Sequence, residues 1–296
     1  MMRWEGRSFR AMGAEVSLAA PAPIEAFARA VRTLRAVFER EEQRFSRFRD
    51  DSELSRVNAR SGEWTDVSEP FADLTRLAIS SAERTGGLFD PTVLPALRAA
   101  GYDRDIDEVR AILRELPPTP PEPCGRWAEI ELDGNSIHMP KGVALDFGGI
   151  AKGWTVDLVA TLVAREVTCA LVSAGGDLRA VGAIPAEGLP IEVEDPLQLG
   201  SYMMTLALQG GAIATSSTMR RSWGKNLHHL IDPRTSLPAH TGIVQATVWA
   251  ETCAEAEADA KWALLDGVPA LDHISAVLVR ESGEILINLR PMEVAA

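Results

Sequence analysis

Apolar residues at Ile24, Phe27, Val31, Leu34 and Phe38 recur at steps of three and four, so the spacing predicts one long amphipathic helix running to about Gln43. Ahead of it, residues 9–18 read as a strand broken at Met12-Gly13. A second helix is expected over residues 70–85, closed by the turn Gly86-Gly87-Leu88-Phe89-Asp90-Pro91. Residues 130–132 and 136–139 flank Asp133-Gly134-Asn135, which is a hairpin signal. Ile150, Trp154, Leu158 and Leu162 step by four and predict the core face of a helix that begins after Gly148-Gly149. Beyond it lie a short buried strand at residues 169–173 and alternating segments at 189–193, 202–208, 212–214 and 242–250. Thr252 and Glu255 form a capping box that starts a last helix, expected to run to about Leu265. Strands interleaved with helices and hairpins, without a repeating βαβ pattern, predict an α+β fold: a largely antiparallel sheet with flanking helices.

The run 117–123, five of whose residues are proline, cannot be helix or central strand. It divides an N-terminal part, residues 1–116, from a strand-rich part, residues 124–296, the two being expected to form one interwoven structural unit. With 296 residues, 46% hydrophobic, the chain has ample material for a core. A net charge of −12 excludes sequence-independent nucleic-acid binding and attraction to anionic membranes, because such partners would be repelled over most of the surface. No stretch is long and apolar enough for an integral membrane segment, and no export signal opens the sequence as given, so a cytoplasmic location is expected; a form trimmed of its signal would read the same. Cys124, Cys169 and Cys253 are odd in number and widely spaced, which suggests neither a zinc site nor a disulfide framework.

The candidate chemistry starts at Ala144-Leu145-Asp146-Phe147-Gly148-Gly149-Ile150-Ala151-Lys152-Gly153-Trp154. Two glycines at a helix N-terminus, with a lysine one turn in, suit an anion such as a phosphate; the alternative is a tight turn with a surface lysine. Phe48, set among arginines, reads either as a stacking platform for a flat ligand or as a core anchor, and Asp90 as a turn-former or more. His228-His229 followed by Asp232 supplies a base with an acid able to orient it, or else two surface histidines of a hairpin. Asp259 offers oxygen to a hard cation, or belongs to a solvated acidic face with Glu255 and Glu257.

Six stretches, taken together and in order, resemble the motifs of the FAD:protein FMN transferase (ApbE) family: Met12-Gly13; Phe45-Ser46-Arg47-Phe48 with Asp51-Ser52-Glu53-Leu54; Gly87 to Thr92; Asp146 to Gly153; Thr215-Ser216; and His228 to Thr235. The resemblance covers nearly the whole chain. It implies a two-part α+β fold with FAD in the cleft between the parts and Mg²⁺ on the pyrophosphate. The implied reaction moves FMN from FAD to a threonine or serine of an acceptor protein and releases AMP. On that resemblance Met12 and Phe48 contact the flavin nucleotide's rings, Leu88, Phe89 and Asp90 line the pocket, and Asp146 and Lys152 hold FAD near its phosphates. Gly149 offers its carbonyl to the metal, beside Asp259 and the Trp262 carbonyl. His229 becomes the base, with Asp232 beside it, and Ile231 packs on the ligand.

Two departures stand out. Where the family's metal helix carries threonine, this chain has Ala263, without a side-chain oxygen; and Ser217 and Ser236 replace glycines. The rival readings are therefore a flavin pyrophosphatase that cuts FAD to FMN and AMP with water, and a flavin-binding protein without catalysis.

Overall fold

The computed structural model describes residues 4–112, 123–198, 200–224 and 226–289. The chain groups into two compact units, each assembled from distant segments. One comprises Met1–Glu41, Lys152–Ser216 and Ile243–Ala296; the other comprises Glu42–Ala151 and Ser217–Gly242. These boundaries do not fall at the proline-rich run, which lies inside the second unit, its residues 117–122 being outside the described set. Sheet strands recruited from separate stretches decide the grouping, and composition along the chain carries no mark of that.

The first unit is built on an eight-stranded sheet in the order Glu5–Ala11, Ala14–Ala20, Cys169–Ala174, Asp177–Gly182, Ala212–Ser217, Ile243–Ala250, Ser275–Arg280, Ile285–Asn288. The first five strands are joined by antiparallel ladders, and so are the last three. The largely antiparallel α+β fold expected from the pattern is what forms. Where one interrupted strand was expected at residues 9–18 there are two, joined by a tight hairpin. Met12 and Gly13 both take positive φ, 50° and 66°, as a primed two-residue turn requires.

Helix Ile24–Phe45 matches the predicted periodicity, with Leu34 and Phe38 fully buried. In helix Ala151–Val163 the fully buried residues are Thr155, Val156, Val159, Ala160 and Val163; Trp154, Leu158 and Leu162 of the expected stripe are only half-buried. Close approach of a neighbour explains the shift: a Cβ on Gly153 would stand 2.4 Å from the Cys253 carbonyl oxygen. Gly153 and Asp157 meet the start of helix Cys253–Asp266 there. Helix Cys253–Asp266 starts at its capping box as predicted, Glu255 N–H donating to Thr252 Oγ1 at 3.3 Å.

In the second unit, helices Glu53–Ala59, Glu69–Arg84, Leu94–Ala99 and Ile106–Arg110 accompany a three-stranded sheet containing the predicted hairpin, Glu131–Asp133 against Ser136–His138. Ser52 caps the first of these helices, accepting from Ser55 N–H at 2.9 Å. Two short hairpins, Ser222–Trp223 with Leu227–His228 and Ile231–Asp232 with Leu237–Pro238, carry the histidine segment. They rest on a core of Leu97, Tyr102, Val109, Trp223, Leu227 and Ile231.

Candidate active site

In the first unit, Lys152 is buried and doubly engaged. Lys152 Nζ lies 2.8 Å from Asp177 Oδ2 and is hydrogen-bonded to Glu257 Oε1. The other oxygen of Glu257 accepts from Gly153 N–H at 2.8 Å, and Lys261 stands 3.5 Å from Oε1. Glu257 is 1% exposed and Asp259 5%, so helix Cys253–Asp266 does not present a solvated acidic face at these positions. Burial pushes the Glu257 carboxyl up, but Lys152 and Lys261 more than reverse this and hold it below its ordinary value. Burial outweighs Lys152 at Asp177, whose carboxyl is raised, Glu257 adding to the effect. Glu257 is thus the charged partner of the two lysines.

Beside this network Asp157 accepts from the N–H groups of Cys253 and Ala254, at 2.9 and 3.0 Å, and pairs with Arg179 at 2.7 Å. A half-buried carboxylate thereby occupies the N-terminus of helix Cys253–Asp266, where the helix dipole favours negative charge. Ala263 is fully buried, and Trp262 stacks on His273 with ring centroids 5.7 Å apart. Met12, held at positive φ, receives a contact from Thr155 Oγ1 at 3.7 Å from its sulfur.

In the second unit, Asp146 is fixed from two sides. Arg47 Nε lies 2.8 Å from Oδ2, and Gly148 N–H donates to Oδ1 at 2.7 Å. A Cβ at Gly148 would come within 2.8 Å of that same Oδ1, so this glycine is required for close approach. The amides expected to point outward for an anion are in part already used: Gly148 binds Asp146, Ile150 and Ala151 bind the Phe147 carbonyl, and Gly153 binds Glu257. The protein's own carboxylates take the places that the sequence offered to a phosphate.

Arg47 also packs over Phe48 and Tyr102, at 4.2 and 4.3 Å from the ring centroids, and Tyr102 packs against Trp223 at 5.2 Å. Phe48 is 45% exposed, so it is no core anchor; one end of this aromatic ladder is open to a flat ligand. Asp90 is both turn-former and clasp: Oδ1 accepts from Thr92 N and Oγ1 at 2.8 and 2.6 Å, and Oδ2 from Gly125 N at 2.7 Å. Burial nonetheless pushes its carboxyl above the ordinary value. Phe89 is buried and Leu88 half-buried in the same turn.

His229 is half-buried, its N–H bonded to the Arg221 carbonyl at 3.2 Å. The carboxylate of Asp232, expected to orient a histidine, is instead held by Arg234, Nε at 2.9 Å from Oδ1 and Nη2 at 2.7 Å from Oδ2. Burial raises Asp232, and Arg234 overrides that and lowers it. Ile231 is a core residue, 4% exposed, packed in the cluster that contains Trp223 and Tyr102. Ser236 holds a left-handed φ of 59°, the conformation in which glycine is strain-free, and its Oγ accepts from Cys124 N–H at 2.9 Å. Burial pushes the Cys124 thiol up to about 11, so it is no thiolate ligand near neutral pH.

The sequence assigned no role to Asp177 or Arg47 and offered Glu257 only as part of a solvated acidic face. The one available signal was Glu257 and Asp259 on a helix whose remaining positions are largely apolar. Among the described residues no cluster of three or more His, Cys, Asp or Glu side chains stands ready-made for a metal, and no helix is long and apolar enough to cross a membrane.

The ApbE family profile matches residues 12–278. The FAD:protein FMN transferase of Vibrio cholerae is 30% identical over 260 residues, covering 81% of this chain and 72% of that protein. The protein of the same name from Treponema pallidum is 28% identical over 251 residues, covering 75% and 67%. Among solved structures, the ApbE protein of Thermotoga maritima superimposes with a TM-score of 0.82 at 25% identity over 97% of both chains. The fold is that of an ApbE protein, and the curated relatives are named for flavin transfer. The chain belongs to the ApbE family.

Proposed function

We propose that this chain transfers the FMN half of FAD to a threonine or serine hydroxyl of an acceptor protein. His229 takes the proton from the acceptor hydroxyl; that oxygen attacks the FMN-side phosphorus, the bond to the bridging oxygen breaks, and AMP leaves with it. Such transfers depend mainly on positioning and on charge neutralisation around the phosphoryl group. The reading is carried by one observation above others: of the two adjacent histidines, His228 is buried with both ring nitrogens bonded, while His229 is half-buried on a segment fixed at its N–H.

In this proposal the exposed face of Phe48 stacks on a ring of FAD, with Leu88, Phe89 and Asp90 lining the nucleotide on the same unit, and Met12 is a further ring contact. Lys152 places an ammonium near the phosphates, its charge balanced by Asp177 and Glu257. Asp146 acts through the turn it forms with Gly148, Asp232 through its clasp on Arg234, and Ile231 through the core beneath the hairpin.

Mg²⁺ is commonly held by one or two carboxylates together with substrate phosphates and water, and in this proposal the Asp259 carboxylate supplies the first, with the Trp262 carbonyl of the same helix as a further ligand. When bound it would neutralise phosphate charge. Ala263 contributes no side-chain oxygen, which favours weak metal binding and keeps a non-catalytic flavin carrier as the second reading.

Incubation with FAD and Mg²⁺, followed by chromatography of the nucleotides, separates the readings. AMP formed only when an acceptor is present supports transfer; FMN and AMP without acceptor supports the pyrophosphatase; intact bound FAD supports the carrier. Failure to bind FAD or AMP at all overturns the proposal.

A further inference from the structure

We infer that His228 is a positioning residue for His229, its neutral imidazole clasping Leu230 and Ala239 so that the histidine between them is held in one backbone conformation. The inference rests on His229 being the base of the proposed reaction.

The geometry closes a small ring of hydrogen bonds. Leu230 N–H donates to His228 Nδ1 at 3.3 Å, His228 Nε2 meets the Ala239 carbonyl at 2.9 Å, and Ala239 N–H donates back to the Leu230 carbonyl at 2.9 Å. Leu230 can only donate to an unprotonated Nδ1, and Ala239 O can only accept from a protonated Nε2, so the two bonds fix one tautomer of an uncharged ring. His228 itself is paired with Ser222 in the preceding hairpin, and the strands on the other side pair Ile231 with Pro238. His229 therefore lies between two anchored residues, with its own N–H on Arg221.

The ring is 5% exposed, so the clasp is shielded from competing water. Burial lowers its basicity first; the Ala239 carbonyl opposes this, and His240, whose ring packs edge-on at 6.0 Å, lowers it further. A protonated His228 would turn a second N–H toward the N–H of Leu230 and open the ring. A two-residue motif thus divides its work: one histidine holds the main chain, and its neighbour is the base of the proposed reaction.

The test uses the full chain with FAD, Mg²⁺ and an acceptor protein. His228→Phe keeps the ring's bulk and removes both bonds; kcat is expected to fall about 10- to 100-fold, the scale of a misplaced catalytic group, with KM for FAD changed less than about twofold. His228→Asn, whose carboxamide oxygen can accept from Leu230 and cannot titrate, should recover much of that loss. Long-range ¹H–¹⁵N spectra of the histidine rings, assigned by the signal missing from His228→Asn, should show a neutral Nε2–H tautomer from about pH 6 to about pH 8. Unchanged kcat in a folded His228→Phe variant, or loss of FAD affinity in parallel with kcat, overturns the inference, as does a charged or Nδ1–H ring at His228. If the wild type transfers no FMN, the proposed reaction fails while the spectra still decide the clasp; if His228→Phe does not fold, the asparagine variant and the spectra decide it.

Discussion

Replacing Gly153 by alanine sets two effects of known size against each other. Glycine inside a helix costs about 0.5–1 kcal/mol relative to alanine, so helix propensity alone predicts that the variant is stabilised. The structure predicts the opposite. The added Cβ would stand 2.4 Å from the Cys253 carbonyl oxygen, 2.6 Å from its carbon and 2.7 Å from Ala254 Cα, all backbone atoms that have no rotamer to escape into. Restoring ordinary contact requires the two helices to separate by about 1 Å, and overpacking of this kind costs about 1–3 kcal/mol. The same movement stretches the Gly153 N–H to Glu257 bond, now 2.8 Å, whose charged acceptor makes it worth about 1.5–3 kcal/mol. The net expectation is a loss of about 2–4 kcal/mol, or a melting temperature lowered by about 4–8 °C in a chain of this size. Thermal unfolding followed by circular dichroism, backed by urea titration, measures it. A melting temperature equal to or above that of the wild type would refute the close helix contact and the account of why the core face of helix Ala151–Val163 is displaced.

Other consequences follow from the buried charges. Lys152→Met leaves Glu257 with Lys261 alone, and Glu257→Gln leaves Lys152 with Asp177 alone, so each should cost less than the about 3–5 kcal/mol of a fully unpaired buried charge in urea unfolding, and the double variant clearly less than their sum. Asp90 has a folded-state pKa above its unfolded value, so its contribution to stability is present below the unfolded pKa, about 4, and is lost as pH rises through the folded value. Asp90→Asn, which also loses a bond to Thr92 or Gly125, should therefore be less stable at acid pH and close part of that gap toward neutrality, readable as the difference in urea midpoint against pH. Ala263→Thr should restore a side-chain oxygen and lower the Mg²⁺ concentration giving half-maximal FMN transfer; an unchanged value would mean that other groups complete the metal shell.

What the sequence made legible was local. The capping box at Thr252, the hairpin turn at Gly134 and the periodicity of helix Ile24–Phe45 are encoded within a few residues, and all three form as read. The partners of Lys152 were not, because Glu257 lies 105 residues away and Asp177 on a strand beyond the helix that carries the lysine. A carboxylate with no near neighbour in sequence looks like surface until the fold buries it. The misplaced face of helix Ala151–Val163 has the same origin: periodicity marks bulky residues, whereas the closest contact is made by a glycine. Asp232 was read as the orienting acid from adjacency alone, and Arg234, two residues on and better suited to a bidentate pair, takes it.

The central claim is tested most directly by the intact mass of an acceptor protein after incubation with this enzyme, FAD and Mg²⁺. The account predicts that the acceptor gains the mass of one FMN group with an equal amount of AMP released, and that His229→Ala abolishes the gain while still binding FAD. An unchanged acceptor mass beside a demonstrably bound FAD, or full transfer by His229→Ala, would contradict it.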